Sequence, residues 1–217
     1  MMEMLNFKNN SMDSTISQLA QCFENLPGIG PRQARRFVYA LLKKNDKFIS
    51  DFTKLMLDIK KELIKCETCQ CFFKNNKQNK NCKICRNPQR DKGVLLVVEK
   101  DIDLNNIESA NSYNGLYYVL GGLVPPIGAK LPEEVRMKEL FEKVKQMTMS
   151  KNLKEIILAF SATKEGENTE QYIKSILEPI VQKYPFKISL LGRGLSTGTE
   201  LEYADRDTLK NALRRRD

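Results

Sequence analysis

"LPGIGPRQARR", Leu26 to Arg36, sets two glycines, two prolines and three arginines within eleven residues. On its N-terminal side Ile16, Leu19, Ala20 and Phe23 recur at helical spacing. They predict a helix over Asp13–Asn25, with Asp13 or Ser14 as its cap. On its C-terminal side Ala34, Val38, Leu41 and Leu42 make one face of a second helix over Pro31–Lys44. Pro31 stands where a first helical turn accepts proline. A third amphipathic helix, Lys47–Ile64, is expected from Phe48, Phe52, Leu55, Met56, Ile59 and Leu63. A stretch that only joined two helices would have no use for so much positive charge just beyond the turn.

Gly28 and Gly30 flank Ile29, which can plug the space between the two helices. Glycine lets backbone approach a ligand closely and tolerates positive φ. The helix that follows offers unpaired N–H groups and the positive end of its dipole, which suits a phosphate. Arg32 and Arg36 lie one turn apart on one face, with Arg35 at its edge. This is the logic of a helix-hairpin-helix, which grips the sugar-phosphate backbone without reading bases. The plainer alternative is an ordinary glycine-containing turn of a helical hairpin.

Net charge supports a polyanionic partner. The 217-residue chain carries +9, and the surplus is confined to its first 92 residues. Residues 1–59 hold 8 basic against 6 acidic side chains, residues 60–92 hold 10 against 3, and residues 93–217 balance at 18 each. The opening segment "MMEMLNFKNNSM" has no apolar h-region, and no apolar run reaches membrane-span length. A cytoplasmic protein with no membrane association is therefore expected.

The basic middle holds "CETCQCFFKNNKQNKNCKIC". Cys66 and Cys69 form one CxxC knuckle, Cys82 and Cys85 a second, with twelve residues between them. Two knuckles complete the tetrahedral thiolate set of a closed structural Zn²⁺ site, one ion per chain. Disulfides, the rival reading, suit an intracellular chain poorly. Cys71 is a nearby decoy that could replace Cys69, although the CxxC register argues against it. Cys22, on the first helix, is expected as a buried or half-buried free thiol. Lys74, Lys77, Lys80 and Lys83 surround the knuckles, and the loop they form is a further candidate for touching nucleic acid.

From Gly93 the texture changes. "VLLVV" (Val94–Val98) is continuously apolar, as a strand buried on both faces is. Leu116–Leu120, Glu155–Phe160 and Phe186–Leu191 read as further strands, with helical stretches near Leu104–Ser112, Pro132–Met147 and Asn168–Tyr184. Alternation of strand and helix predicts a mostly parallel sheet covered on both sides. Ligands of such sheets bind beyond the carboxyl ends of strands. Those ends carry Glu99 and Asp101 in one case, and Ser161, Thr163, Glu165 and Glu167 in the other. "LGGLVPPIGAK" is glycine-rich but has neither the dinucleotide fingerprint nor a P-loop ending.

In this order the motifs "LPGIGPRQARR", "CKICRNPQRD", "VVEKDIDLNNIE", "YYVLGG", "ATKEGENTEQYI" and "RGLSTGTELEYADRDTL" resemble the RecR family of recombination mediators. The match runs from about Leu19 to Leu213, with a longer N-terminus and a longer loop between Cys69 and Cys82. The resemblance implies an α+β multidomain chain. Residues 1–63 would be a helical domain with the helix-hairpin-helix, 66–85 a C4 zinc finger, 93–188 an α/β Toprim domain, and 189–217 a short C-terminal oligomerisation segment. It implies a non-catalytic DNA-binding protein of recombinational repair. Such a protein acts with RecO and RecF to load a RecA-type recombinase onto single-stranded or gapped DNA, and assembles as a dimer or tetrameric ring. DNA, single-stranded, gapped or duplex and of any sequence, would be held at Gly28, Gly30, Arg32, Arg35 and Arg36, RecO at Glu165 and Glu167, and a second protomer at Arg193, Gly194 and Glu202.

Catalytic Toprim domains hold Mg²⁺ with a strand-end glutamate and a D-x-D pair. Glu99 matches the glutamate, but the aspartate positions fall on Ser161 and Thr163. Hydroxyls in place of carboxylates weaken the hold on Mg²⁺, and the chain has no histidine to serve as general base. The alternative, a Mg²⁺-dependent nuclease or primase-like enzyme, would have to gather its cation with Glu99, Glu165 and Glu167. For the last two, a plain role at a helix N-terminus is the competing reading.

Overall fold

The computed structural model describes residues 13–217 except 76–77, 126–129, 151, 193–194, 196–197, 199, 201, 203, 205, 207, 210–211 and 213–217. By its contacts the chain forms two units, Met1–Glu62 and Leu63–Asp217.

The first unit contains α1 (Asp13–Glu24), α2 (Pro31–Leu42) and α3 (Asp46–Glu62). Ala20, Ala34 and Val38 are buried where α1 meets α2, with Ile16, Phe23 and Ile29 packed around them. Two small residues at the crossing let the helices approach closely. Phe23 meets Phe37 edge-on, with ring centroids 5.5 Å apart. Ile29 does plug the hairpin, as its place between the glycines suggests. Cys22 is exposed rather than buried, because it lies off the stripe formed by Ile16, Ala20 and Phe23. The apolar face predicted for α3 is present but outward: Phe48, Phe52, Leu55, Met56 and Ile59 are all exposed.

The second unit begins where the third helix was expected to continue. Leu63–Lys65 is a strand, β1, paired antiparallel with β2 (Phe72–Lys74). After the one-turn helix α4 (Lys83–Arg86) come β3 (Asp91–Val98), α5 (Asp101–Ser109), β4 (Gly115–Val119), α6 (Met137–Met149), β5 (Glu155–Ala159), α7 (Lys164–Lys183) and β6 (Lys187–Leu190). The four strands from β3 onward form one parallel sheet in the order β4-β3-β5-β6. Of the C-terminal segment expected over residues 189–217, many lie outside the described residues.

The period of a strand explains the continuous apolar run. Successive side chains of β3 point to opposite faces, and both faces are covered. Leu95 and Val97 share a core with Leu140 and Val144 of α6 and Ile173, Leu177 and Ile180 of α7. Leu96 and Val98 face the other way, into a core with Leu104 of α5, Tyr117, Val119 and the cysteines Cys66, Cys69, Cys71 and Cys82. Each fully buried aliphatic side chain contributes roughly 1.5–3 kcal/mol. The cysteine module is therefore one of the two covers of this sheet, and the amide of Val119 donates to the carbonyl of Cys69 at 2.8 Å.

Candidate metal centre and nucleic-acid interface

The four knuckle cysteines converge. The Sγ atoms of Cys66, Cys69, Cys82 and Cys85 lie within 4.8 Å of one another. Thiolates about 2.3 Å from a tetrahedral zinc stand roughly 3.8 Å apart, and Cys69 and Cys82 are separated by 3.7 Å. Local folding sets this up. Gln70 adopts φ 65, and its amide donates to the Cys66 carbonyl at 2.9 Å, closing the first knuckle. Cys82 is the cap residue of α4, and its amide donates to Cys66 Sγ at 3.3 Å, a bond that favours the thiolate. The neighbouring thiols Cys69, Cys71, Cys82 and Cys85 favour the ionised form of Cys66 and hold its pKa far below the ordinary value. Cys85 is pushed up, chiefly by Cys66, then by Cys69, Cys82 and burial. Only a divalent cation lets all four shed their protons together in so buried a place. All six cysteines are free thiols. The residues present fit a structural metal ion.

In the first unit the hairpin turn is built as its sequence suggests. Gly28 has φ 80, which a side chain would strain. Gly30 caps α2 in extended conformation (φ −87, ψ 169), which any residue can adopt, and a Cβ there would meet no protein atom within 4 Å. Its lack of a side chain therefore serves neither packing nor backbone conformation. What it does is leave the start of α2 bare. Arg32, Arg35 and Arg36 follow it, all exposed, and the first turn of α2 holds no acidic residue. A helix N-terminus disfavours cations, so Arg32 stands where the dipole works against it unless an anion is present.

The carboxyl ends of β3 and β5 meet at the point where strand order reverses, which is the binding crevice of such sheets. Glu99 is there, half-buried, and its Oε1 lies 2.8 Å from Lys100 Nζ. The Glu99 carboxylate raises the Lys100 pKa. Asp101 is otherwise engaged: its Oδ1 accepts the Phe72 amide at 2.7 Å, tying α5 to the cysteine module. Asp103 accepts the Lys100 amide at 2.9 Å. After β5, Ser161 and Thr163 are exposed, and the Thr163 hydroxyl accepts the Gly166 amide at 3.1 Å as the cap of α7. The helix thus starts at Lys164, ahead of the expected Asn168, and Glu165 and Glu167 are exposed in its first turn. Gly166 is required there by close approach, since a Cβ would come within 2.0 Å of the Ser161 carbonyl oxygen.

Two contributors escaped the sequence reading. Lys100 pairs with the strand-end acid, and its signal was its place directly after Glu99. Thr169 is buried in α7, accepts the Val124 amide at 2.8 Å and donates to the Glu165 carbonyl at 2.7 Å, fixing the acidic turn. Its distance in sequence from Val124 hid that role. Arg193 and Gly194 lie outside the described residues, and Glu202 is exposed.

A helical hairpin, a four-thiol centre and a doubly covered parallel sheet with an acid at its switch point define a multidomain Toprim-type protein. Family models agree: RecR helix-hairpin-helix matches residues 16–58, the Toprim domain residues 93–191, and RecR C-terminal residues 194–216. Recombination protein RecR of Staphylococcus aureus strain JH9 is 38% identical over 198 residues, 91% of this chain and 94% of its own length. The proteins of the same name from strains Mu50 and Newman match at the same identity and coverage. The chain belongs to the RecR family.

Proposed function

We propose that this chain is a non-catalytic DNA-binding recombination mediator, acting with RecO and RecF to load a RecA-type recombinase onto single-stranded or gapped DNA. The observation that carries the reading is the bare glycine start of α2 followed by three exposed arginines. Gly28, Gly30, Arg32, Arg35 and Arg36 hold the sugar-phosphate backbone without sequence preference. Cys66, Cys69, Cys82 and Cys85 hold one structural Zn²⁺, a metal suited to four thiolates. Residues 1–63 serve as the DNA-holding domain, 66–85 as the zinc finger, 93–188 as the partner-binding Toprim domain and 189–217 as the joining segment between protomers. The place of action is the cytoplasm.

The Toprim crevice supports the non-catalytic reading. Glu99 is neutralised by Lys100, Asp101 is spent on a backbone amide, and Thr163 caps a helix. A Mg²⁺-dependent nuclease or primase would need carboxylates where Ser161 and Thr163 stand. Homo-oligomerisation is supported by the first unit. Phe48 and Phe52 stack with centroids 6.0 Å apart on the exposed face of α3, beside an apolar groove of about 610 Å³ lined by Phe23, Leu26, Leu42, Phe52 and Met56. An apolar area of this kind on a small helical unit needs cover, and a second protomer provides it; Arg193, Gly194 and Glu202 are assigned to protomer joining from the family resemblance.

Loading is tested on gapped DNA coated with single-strand-binding protein, with cognate RecO, RecF and RecA-type recombinase. Adding this protein should speed recombinase filament formation severalfold, and an unchanged rate would contradict the mediator role. The partner face is tested by Glu165→Lys with Glu167→Lys. Charge pairs govern association and partner choice, so RecO binding should be lost while metal content, folding and DNA affinity stay near wild type. Pull-down of RecO at wild-type strength would return the two acids to the role of complementing the α7 dipole.

A further inference from the structure

The metal centre has one thiol too many. Cys71, buried at 6% exposure, brings its Sγ to 3.3 Å from Cys69 Sγ, closer than the roughly 3.8 Å edge of a tetrahedral zinc site. The same backbone fold that closes the first knuckle turns this third thiol inward. After the left-handed residue Gln70 the chain doubles back, and the Cys71 carbonyl accepts the Cys66 amide at 2.8 Å. Cys66, Cys69, Cys82 and Cys85 converge within 4.8 Å of one another, and Cys71 stands directly against the Cys69 corner of that set. Cys66, Cys69 and Cys82 are thus three corners that Cys85 completes, with Cys71 beside one of them as a further buried thiol. Cys85 is the least buried of the four knuckle cysteines and sits on the four-residue helix α4, whereas Cys71 is held inside the sheet-side core.

We propose that Cys71 is a fifth, exchangeable ligand of the metal centre, competing with Cys85 for the fourth position around a metal held permanently by Cys66, Cys69 and Cys82. It is thus not a substitute for Cys69, whose place the knuckle fixes. In the exchange a bond from the metal to Cys71 sulfur forms as its S–H proton leaves, the bond to Cys85 breaks, and Cys85 sulfur takes up a proton. No electrons are transferred, and the charge of the site is unchanged. The consequence is a centre that keeps four thiolates when its most exposed one is lost. This rests on reading the cysteine cluster as a metal site.

Co²⁺ reports thiolate number through its sulfur-to-metal charge-transfer and d–d absorbance. Co²⁺-loaded Cys85→Ala should keep the four-thiolate spectrum of the wild type, and the double variant Cys71→Ala with Cys85→Ala should lose it. Cys85→Ala with the weaker spectrum of the double variant would overturn the exchange and leave the metal site standing. A wild type that takes up no Co²⁺ would sink the metal site itself. If Cys85→Ala does not fold, the zinc-loaded wild type decides, compared with Cys71→Ala under N-ethylmaleimide. Exchange frees Cys85 part of the time, so its labelling should fall severalfold when Cys71 is absent. Equal labelling in the two proteins would refute the proposal.

Discussion

Cys82→Ala is expected to strip the metal from the protein and to melt its second unit at much lower temperature. Cys82 is only 2% exposed. Its Sγ stands 3.7 Å from Cys69 Sγ, its amide bonds Cys66 Sγ, and it caps the helix that carries Cys85. Removing it takes one ligand and loosens two others. Structural zinc sites contribute binding free energy directly to folding, on the order of 10 kcal/mol. The cysteines share a core with Leu96, Val98, Tyr117 and Val119, so losing the metal uncovers one face of the parallel sheet. A net loss of about 5 kcal/mol corresponds to a fall of roughly 10–20 °C in a unit of this size. Elemental analysis and thermal unfolding check both outcomes. Freshly reduced, chelator-free wild type with less than about half a zinc per chain would count against the site, and so would a Cys82→Ala protein that keeps its metal and its melting temperature.

How much of this was legible in the sequence depended on length and on locality. The four strands of the parallel sheet announce themselves as apolar runs because both faces are buried, and the structure moves their ends by only a few residues. The hairpin of α1 and α2 was equally plain, since its turn chemistry and helix faces are local. β1 and β2 were not, being three residues each. Leu63 and Ile64 continue the periodicity of α3, so they read as its last turn. What ends the helix is long-range, the pairing of Leu63 with Lys74 and of Lys65 with Phe72 that carries Cys66 to Cys82. The start of α7 was missed because Gly166 weakens helix propensity. Its reason for being glycine, the Ser161 carbonyl pressed against it, is a contact outside the helix. At the crevice, sequence identified Glu99 as the strand-end acid, while only the family resemblance set Ser161 and Thr163 against the aspartates of catalytic Toprim domains. That Asp101 is committed to the Phe72 amide could come only from the fold, because 29 residues separate them.

Arg32→Glu with Arg36→Glu should weaken binding to DNA of every sequence alike, roughly tenfold to a hundredfold at about 0.1 M salt, and should flatten the salt dependence. Both arginines are exposed, and among the described residues Arg36 makes a long 3.4 Å bond to Gln33. The exchange therefore costs little packing, and surface substitutions of this kind stay within about 0.5 kcal/mol. Glutamate at position 32 even suits the helix better, since an acid in the first turn complements the dipole that Arg32 opposes. Stability and DNA affinity should thus move in opposite directions or stability not at all, which separates loss of a phosphate grip from loss of fold. Each phosphate contact removed should take about 0.7–0.9 from the slope of log affinity against log salt, the lower figure for single strands. Two contacts then predict a change of about 1.4–1.8, measured by titrating labelled single-stranded and gapped DNA across a salt series. A double variant of unchanged melting temperature and unchanged slope would move the DNA grip away from the hairpin, toward the lysine-bearing loop of the cysteine module. A slope reduced equally on two unrelated sequences would fix the hairpin as a backbone grip, since a base-reading contact would lose affinity on one and spare the other.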